Sequence, residues 1–294
     1  MRKPHRRART VTAFLTAAVL GVAGCDAVGG DSAAPTTKAK PSPTPTSVWD
    51  TSPGSIAAVG DSITRGFDAC GILQDCPDVS WATGGSTQVD SLAVRLLGRA
   101  KAAQRSWNYA VTGARMADLP AQMTRAAARA PGLVTVMVGA NDACRDSTAA
   151  MTPVADFRAA FEDALSVLRK KAPKAQVYVA SVPNLKRLWS EGRTNPMGKQ
   201  VWKLGICPSM LADADSLDAV ATERRDTVQE RVEAYNAVLK EVCAQDERCR
   251  FDGGAVYDYR FGTDQLSHFD WFHPSVNGQA RLAEIAYRKV ISVT

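Results

Sequence analysis

Four short motifs hold the residues in this chain best suited to carry covalent chemistry. Ser62 lies in Gly60-Asp61-Ser62-Ile63 and Gly113 in Val111-Thr112-Gly113-Ala114. Asn141 lies in Gly139-Ala140-Asn141-Asp142, and Asp270-Trp271-Phe272-His273 supplies the last pair. Together they offer a hydroxyl nucleophile, an imidazole base, a carboxylate to orient it and three oxyanion donors: the amides of Ser62 and Gly113 and the side-chain amide of Asn141. That set suffices to hydrolyse an ester through a covalent acyl-enzyme.

Each residue has a plainer reading when taken alone. Asp61 and Ser62 are good helix caps, Gly113 and Asn141 are common turn formers, and an Asp and a His can simply sit on a surface loop. Their combination decides the matter. Of the three histidines, His5 lies in a basic leader and His268 has no matched carboxylate, whereas Asp270 stands three residues before His273. A carboxylate at that spacing can fix the imidazole tautomer and stabilise imidazolium. A Gly-x-Ser-x-Gly elbow is absent, because position 64 is Thr.

Alternating strand and helix patterns must position these residues. Short apolar runs at Ser55–Val59, Trp107–Val111, Leu133–Val138 and Gln176–Ser181 read as strands, with a fifth expected from Arg250 towards Val256. Helical periodicity covers Asp90–Ala103, Met116–Ala130, Val154–Lys171, Glu223–Ala244 and Val276–Val290. This order predicts a three-layer α/β/α sandwich around a parallel sheet of about five strands. Ligands in such sheets bind beyond the carboxyl ends of the strands. Ser62, Gly113 and Asn141 each follow a strand, so all three are expected at one edge.

Residues 1–24 read as an export signal: a basic start, an apolar stretch from Val11 to Val22, then Ala23-Gly24-Cys25. Small residues before a cysteine resemble the lipobox of bacterial lipoproteins, which would make Cys25 a lipidated residue and the membrane a partner. The alternative is an ordinary secretory signal. Arg6-Arg7 leaves twin-arginine and Sec export both open. Residues 25–54, rich in Pro, Thr and Ser, read as a tether, and residues 55–294 as one catalytic domain. The leader holds five of the 36 basic residues and no acid, so the rest carries 31 basic against 30 acidic residues. That balance gives no electrostatic footprint for nucleic acid.

Six further cysteines in an exported chain imply disulfides. Cys70 and Cys76 are six apart, as are Cys243 and Cys249, which leaves Cys144 for Cys207. No His/Cys cluster has metal-ligand spacing, and neither metal nor cofactor is expected. A monomer is expected.

The four motifs resemble the blocks of the SGNH hydrolases, the GDSL esterases and lipases, over residues 55–294. Ser62, Gly113, Asn141 and His273 match the four letters, Asp270 matches the third triad member, and Ser181-Val182-Pro183-Asn184 resembles a weaker block after the fourth strand. Ile63 stands where the older motif has Leu. The resemblance implies a flavodoxin-like fold and metal-free ester hydrolysis. The run from Gly60 to Gly66, with the six cysteines, is similar to secreted actinobacterial members.

The expected activity is therefore an extracytoplasmic serine esterase or lipase. A carbohydrate O-acetylesterase, or a non-catalytic glycan- or lipid-binding lipoprotein of the same fold, is the alternative. The segment from Asn184 to Arg225 reads as a long loop whose Leu188, Trp189, Trp202, Leu204, Ile206, Met210 and Leu211 could wall an acyl pocket. Core packing is the competing role for its aromatics. Trp81, Trp271 and Phe272 could equally stack on a sugar ring.

Overall fold

A computed structural model describes residues 48–293; the expected leader, Cys25 and the tether up to residue 47 lie outside the described residues. The strands are β1 (Ile56–Gly60), β2 (Ser106–Asn108), β3 (Leu133–Met137), β4 (Gln176–Val179) and β5 (Cys249–Phe251). In chain order the helices begin with α1 (Ser62–Arg65), α2 (Leu92–Leu97), α3 (Arg99–Arg105), α4 (Leu119–Ala127), α5 (Ala140–Ala143) and α6 (Val154–Lys171). They continue with α7 (Leu185–Gly192), α8 (Pro196–Trp202), α9 (Pro208–Leu211), α10 (Ala219–Cys243), α11 (Ala255–Asp258) and α12 (Val276–Ile291).

All strand pairs are parallel, in the order β2-β1-β3-β4-β5. The chain goes to one side of β1 to make β2 and to the other to make β3. The carboxyl ends of β1 and β3 therefore flank a switch point, the ordinary place for a site in such sheets. Side-chain alternation splits the core into two layers. Ala57, Val59, Val134, Val136, Val177 and Val179 pack with α4, α6 and α10. Ile56, Ala58, Leu133, Met137 and Tyr178 pack with α2 and α12. Both faces being covered is why β3 is apolar almost throughout.

The expected α/β/α architecture is present, with local differences. The helix expected over Asp90–Ala103 is two, divided at Gly98, whose φ of 75° no helix continues through. The β2 ladder is shorter than expected, although Tyr109 and Val111 still donate to Ala58 and Gly60. The packed unit also begins before residue 55. Trp49 is 7% exposed and donates to Val290 O, while Asp50 exchanges two hydrogen bonds with Gln176. A large apolar ring this close to the sheet is better buried than left in a tether.

The segment from Asn184 to Arg225 is not a loop. It folds into α7, α8, α9 and the first turns of α10. Each start has a local cause: Asn184 and Asn195 cap α7 and α8 by side chain, Pro196 and Pro208 occupy first turns, and Asp218 caps α10. Three disulfides join Cys70–Cys76, Cys144–Cys207 and Cys243–Cys249, the pairing the spacing suggests. No described helix is long and apolar enough to cross a membrane.

Candidate active site

Ser62 opens α1 directly after β1 and is 5% exposed. The turn that presents it is fixed from the sheet. Gln122 on α4 accepts from the Gly60 amide at 2.7 Å and donates to its carbonyl at 2.9 Å. The Asp61 amide reaches Met137 O on β3, and the Asp61 carboxylate accepts from the Ile63 amide at 3.0 Å. Gly60 has φ 146°, and a Cβ there would sit 2.1 Å from Met137 O. Only glycine lets the two strands close at this point.

His273 comes from the far end of the chain, on the irregular segment between Leu266 and α12. Its Nε2 lies 2.8 Å from Ser62 Oγ, and its Nδ1 lies 2.5 Å from Asp270 Oδ2. The other Asp270 oxygen accepts from the amides of Phe272 and His273. The Asp270 backbone is braced in turn: Trp202 Nε1 donates to its carbonyl at 2.9 Å. Phe67 and Phe272 meet the imidazole edge-on at 5.0 and 5.1 Å between centroids, which limits ring rotation. A hydroxyl, an imidazole and a carboxylate drawn from two distant segments thus form one continuous relay.

Gly113 and Asn141 arrive on either side of Ser62, because β2 and β3 flank β1. Gly113 has φ 82°, with open space where a Cβ would be. Asn141, half-buried in α5, donates one N–H to Ala114 O at 3.0 Å, and a side-chain amide carries two. Ser181-Val182-Pro183-Asn184 is structural: Ser181 bonds Asp252, Val182 bonds Asn236, and Asn184 caps α7. His268 is exposed and lies against Phe269 with the rings tilted by 38°.

The relay carboxyl and three near it have opposed tendencies. Burial pushes Asp270 up, but the His273 hydrogen bond and charge and the two amides outweigh it and hold it below the usual carboxylate range. Asp61 is pushed up to about 7 by burial, against the Ile63 amide and the charge of His273. Burial also raises Asp142, whose Oδ2 accepts from the Met116 amide. Asp68 is pushed up to about 6, first by burial and then by the charge and contact of Asp270. Asp68 was not among the expected site residues.

Asp68, Asp270 and His273 bring one donor atom each within 4.8 Å of one another. Both ring nitrogens of His273 are already engaged, by Asp270 and Ser62. The trio therefore suits proton handling better than metal ligation.

The expected acyl wall is largely absent; of the three rings expected to stack on a sugar, Trp81 is in the core while Trp271 and Phe272 are half-buried. Trp189, Trp202, Met210 and Leu211 are buried in the main core, and Leu204 is 83% exposed. From that segment Leu188, with Leu185, helps line an apolar cavity of about 30 Å³ shared with Ile63, Ala140 and Phe272. Trp81 is fully buried against Tyr178, with its indole N–H on Thr64. Long apolar side chains gain more from the sheet than from an open rim.

The GDSL-like lipase/acylhydrolase family matches residues 56–286. Among solved structures, LAE5, an α/β hydrolase enzyme from the metagenome of Lake Arreo, is 17% identical, with 81% of this chain and 96% of that one covered and a TM-score of 0.48. An extracellular lipase from Streptomyces rimosus is 18% identical over 81% and 99%, with a TM-score of 0.46. A family two carbohydrate esterase from Clostridium thermocellum is 12% identical over 80% and 62%, with a TM-score of 0.48. No curated protein matches the chain.

Proposed function

The chain belongs to the GDSL-like lipase/acylhydrolase family and is a carboxylic ester hydrolase of that kind; from this premise we propose that Ser62, His273 and Asp270 carry the reaction. The observation behind the proposal is the relay itself, 2.8 Å from Ser62 Oγ to His273 Nε2 and 2.5 Å from His273 Nδ1 to Asp270. Ser62 Oγ attacks the ester carbonyl while Nε2 takes its proton. Asp270 holds the ring and faces the resulting imidazolium. The Ser62 and Gly113 amides and the free N–H of Asn141 receive the oxyanion. Imidazolium then protonates the departing alkoxide, leaving an acyl-Ser62 ester. A water, deprotonated by the same nitrogen, attacks that ester and frees the acid.

The test is covalent. A fluorophosphonate should add to Ser62 alone, as located by peptide mass spectrometry, and His273→Ala should suppress the adduct. Retained ester hydrolysis in Ser62→Ala would refute the assignment.

The three disulfides fit an oxidising, extracytoplasmic compartment. On the sequence of residues 1–54 the same proposal includes a lipoprotein signal over 1–24, lipidation of Cys25 and a tether to the catalytic domain. Incorporation of a labelled fatty acid should be lost in Cys25→Ser; unchanged incorporation would remove the anchor from the proposal.

The burial of Trp189, Trp202, Met210 and Leu211 favours a second reading, a carbohydrate O-acetylesterase. With that wall in the core, short acyl groups should be preferred. Comparable rates on acetyl and octanoyl esters of one alcohol would argue for a lipase instead.

A further inference from the structure

The Cys70–Cys76 disulfide closes a short loop after α1, and Asp68 sits at its base. Asp68 is 2% exposed with φ 55°. Its amide donates to Gln74 O at 3.0 Å, its carbonyl accepts from Ser267 Oγ at 2.6 Å, and its Oδ1 accepts from the Leu73 amide at 2.5 Å. The backbone of Asp68 is thus held on two sides and its buried carboxylate by the Leu73 amide. One carboxylate oxygen of Asp68 lies within 4.8 Å of a carboxylate oxygen of Asp270 and of a ring nitrogen of His273.

Placing one buried carboxyl against another is costly. Holding the loop does not require an acid: an Asn at 68 would accept from the Leu73 amide just as well. What an Asn lacks is a charge and a removable proton. Both of those face Asp270.

We propose that Asp68 is a positioning residue for the Ser62–His273–Asp270 relay: through its contact with Asp270 it orients that carboxylate and adds a second, protonation-dependent negative charge behind His273. The inference rests on the serine-esterase reading above. Ionised, Asp68 joins Asp270 in facing the imidazolium that forms as Ser62 attacks, which lowers the barrier. Protonated, it donates a hydrogen bond to Asp270 and withdraws part of that support. With its titration at about 6, the change falls inside the working range of a histidine base. The ionisable groups around it are Asp270 and His273; Asp61 faces His273 from the α1 side, and Arg65 on α1 is paired with Asp75.

The experiment is the pH profile of kcat/KM for an aryl acetate, followed by pH-stat, in the wild type, Asp68→Asn and Asp68→Ser. The acid limb of the wild type should contain two ionisations, and that of each variant one. The variant limb should lie lower by about half to one pH unit, since losing a negative charge makes imidazolium less stable. On the plateau kcat should fall about three- to tenfold with KM little changed. A structural role alone would leave Asp68→Asn superposable on the wild type, and that result overturns the proposal. If neither variant folds, a wild-type limb with a single ionisation overturns it. Fluorophosphonate labelling separates the failures: no adduct on Ser62 in the wild type sinks the serine-esterase reading, whereas labelling with unmoved profiles sinks only the role of Asp68.

Discussion

The two ends of the Ser62–His273 hydrogen bond are held in different ways. Ser62 follows β1, which pairs with a strand on each side, and Gly60 is clamped front and back by Gln122. His273 lies on an irregular stretch. One isolated bridge, Leu266 to Pro274, closes it, with Ser267 bonded to His273 O and Trp271 bonded to Ser267 O. Single side chains do the rest: Trp202 on the Asp270 carbonyl and Ser267 on Asp68 O. One end therefore moves only if the sheet moves, while the other depends on a few contacts that can be removed singly. On the roles proposed for Ser62 and His273, this would pair a rigidly presented nucleophile with a base whose strength can be tuned without unfolding the domain.

Chemically the two ends should be equal, whatever holds them. Ser62→Ala and His273→Ala should each lower kcat by on the order of 10⁴-fold or more, with melting temperatures near that of the wild type. A much milder loss in either would break the symmetry.

Structurally they should differ. Gly60→Ala forces a methyl to 2.1 Å from Met137 O at a positive φ, so a loss of about 3 kcal/mol or more is expected. Chemical denaturation reads this directly, and a stable Gly60→Ala domain would show the nucleophile end to be less rigid than described. At the base end Trp202→Phe keeps most of the ring but drops the bond to Asp270 O. It should cost about 1–2 kcal/mol of stability and about tenfold in kcat, with KM unchanged.

The smallest effect is on stability against pH. Asp61 and Asp68 have folded values of about 7 and about 6 against an ordinary 3.8, so the folded state binds their protons more tightly. Their contribution is full below about 4 and is lost as pH rises through about 7. Asp270 is lowered and acts oppositely, its contribution being lost as pH falls through its folded value. Melting should thus occur a few degrees higher at about pH 5 than at about pH 8, and Asp61→Asn should flatten that difference. An unchanged slope in Asp61→Asn would remove Asp61 as its source.

Much of the frame was legible in order and periodicity. Helix α6 spans Val154–Lys171 as the pattern predicts, and all five strands overlap the expected runs, although β2 and β5 are only three residues each and Ala255–Asp258 is helical. Gly98 breaks a helix that apolar periodicity alone carries straight through it. The helices between Asn184 and Arg225 were missed because each spans at most eight residues. A run that short shows no clear period, though Asn195-Pro196 and Cys207-Pro208 carried start signals.

The sequence by itself determined which residues could act and at which edge of a parallel sheet they would meet, because chain order sets which turn follows which strand. Only the tertiary structure decided what surrounds them. His273 and Ser62 are 211 positions apart, and Asp68 meets the Ser267–His273 segment from 199 positions away. Nothing local marks a carboxylate near a short cysteine loop as buried beside Asp270, nor Trp202 as a brace rather than a pocket wall. Periodicity reports which face of an element is apolar; the partner pressed against that face is fixed by packing alone.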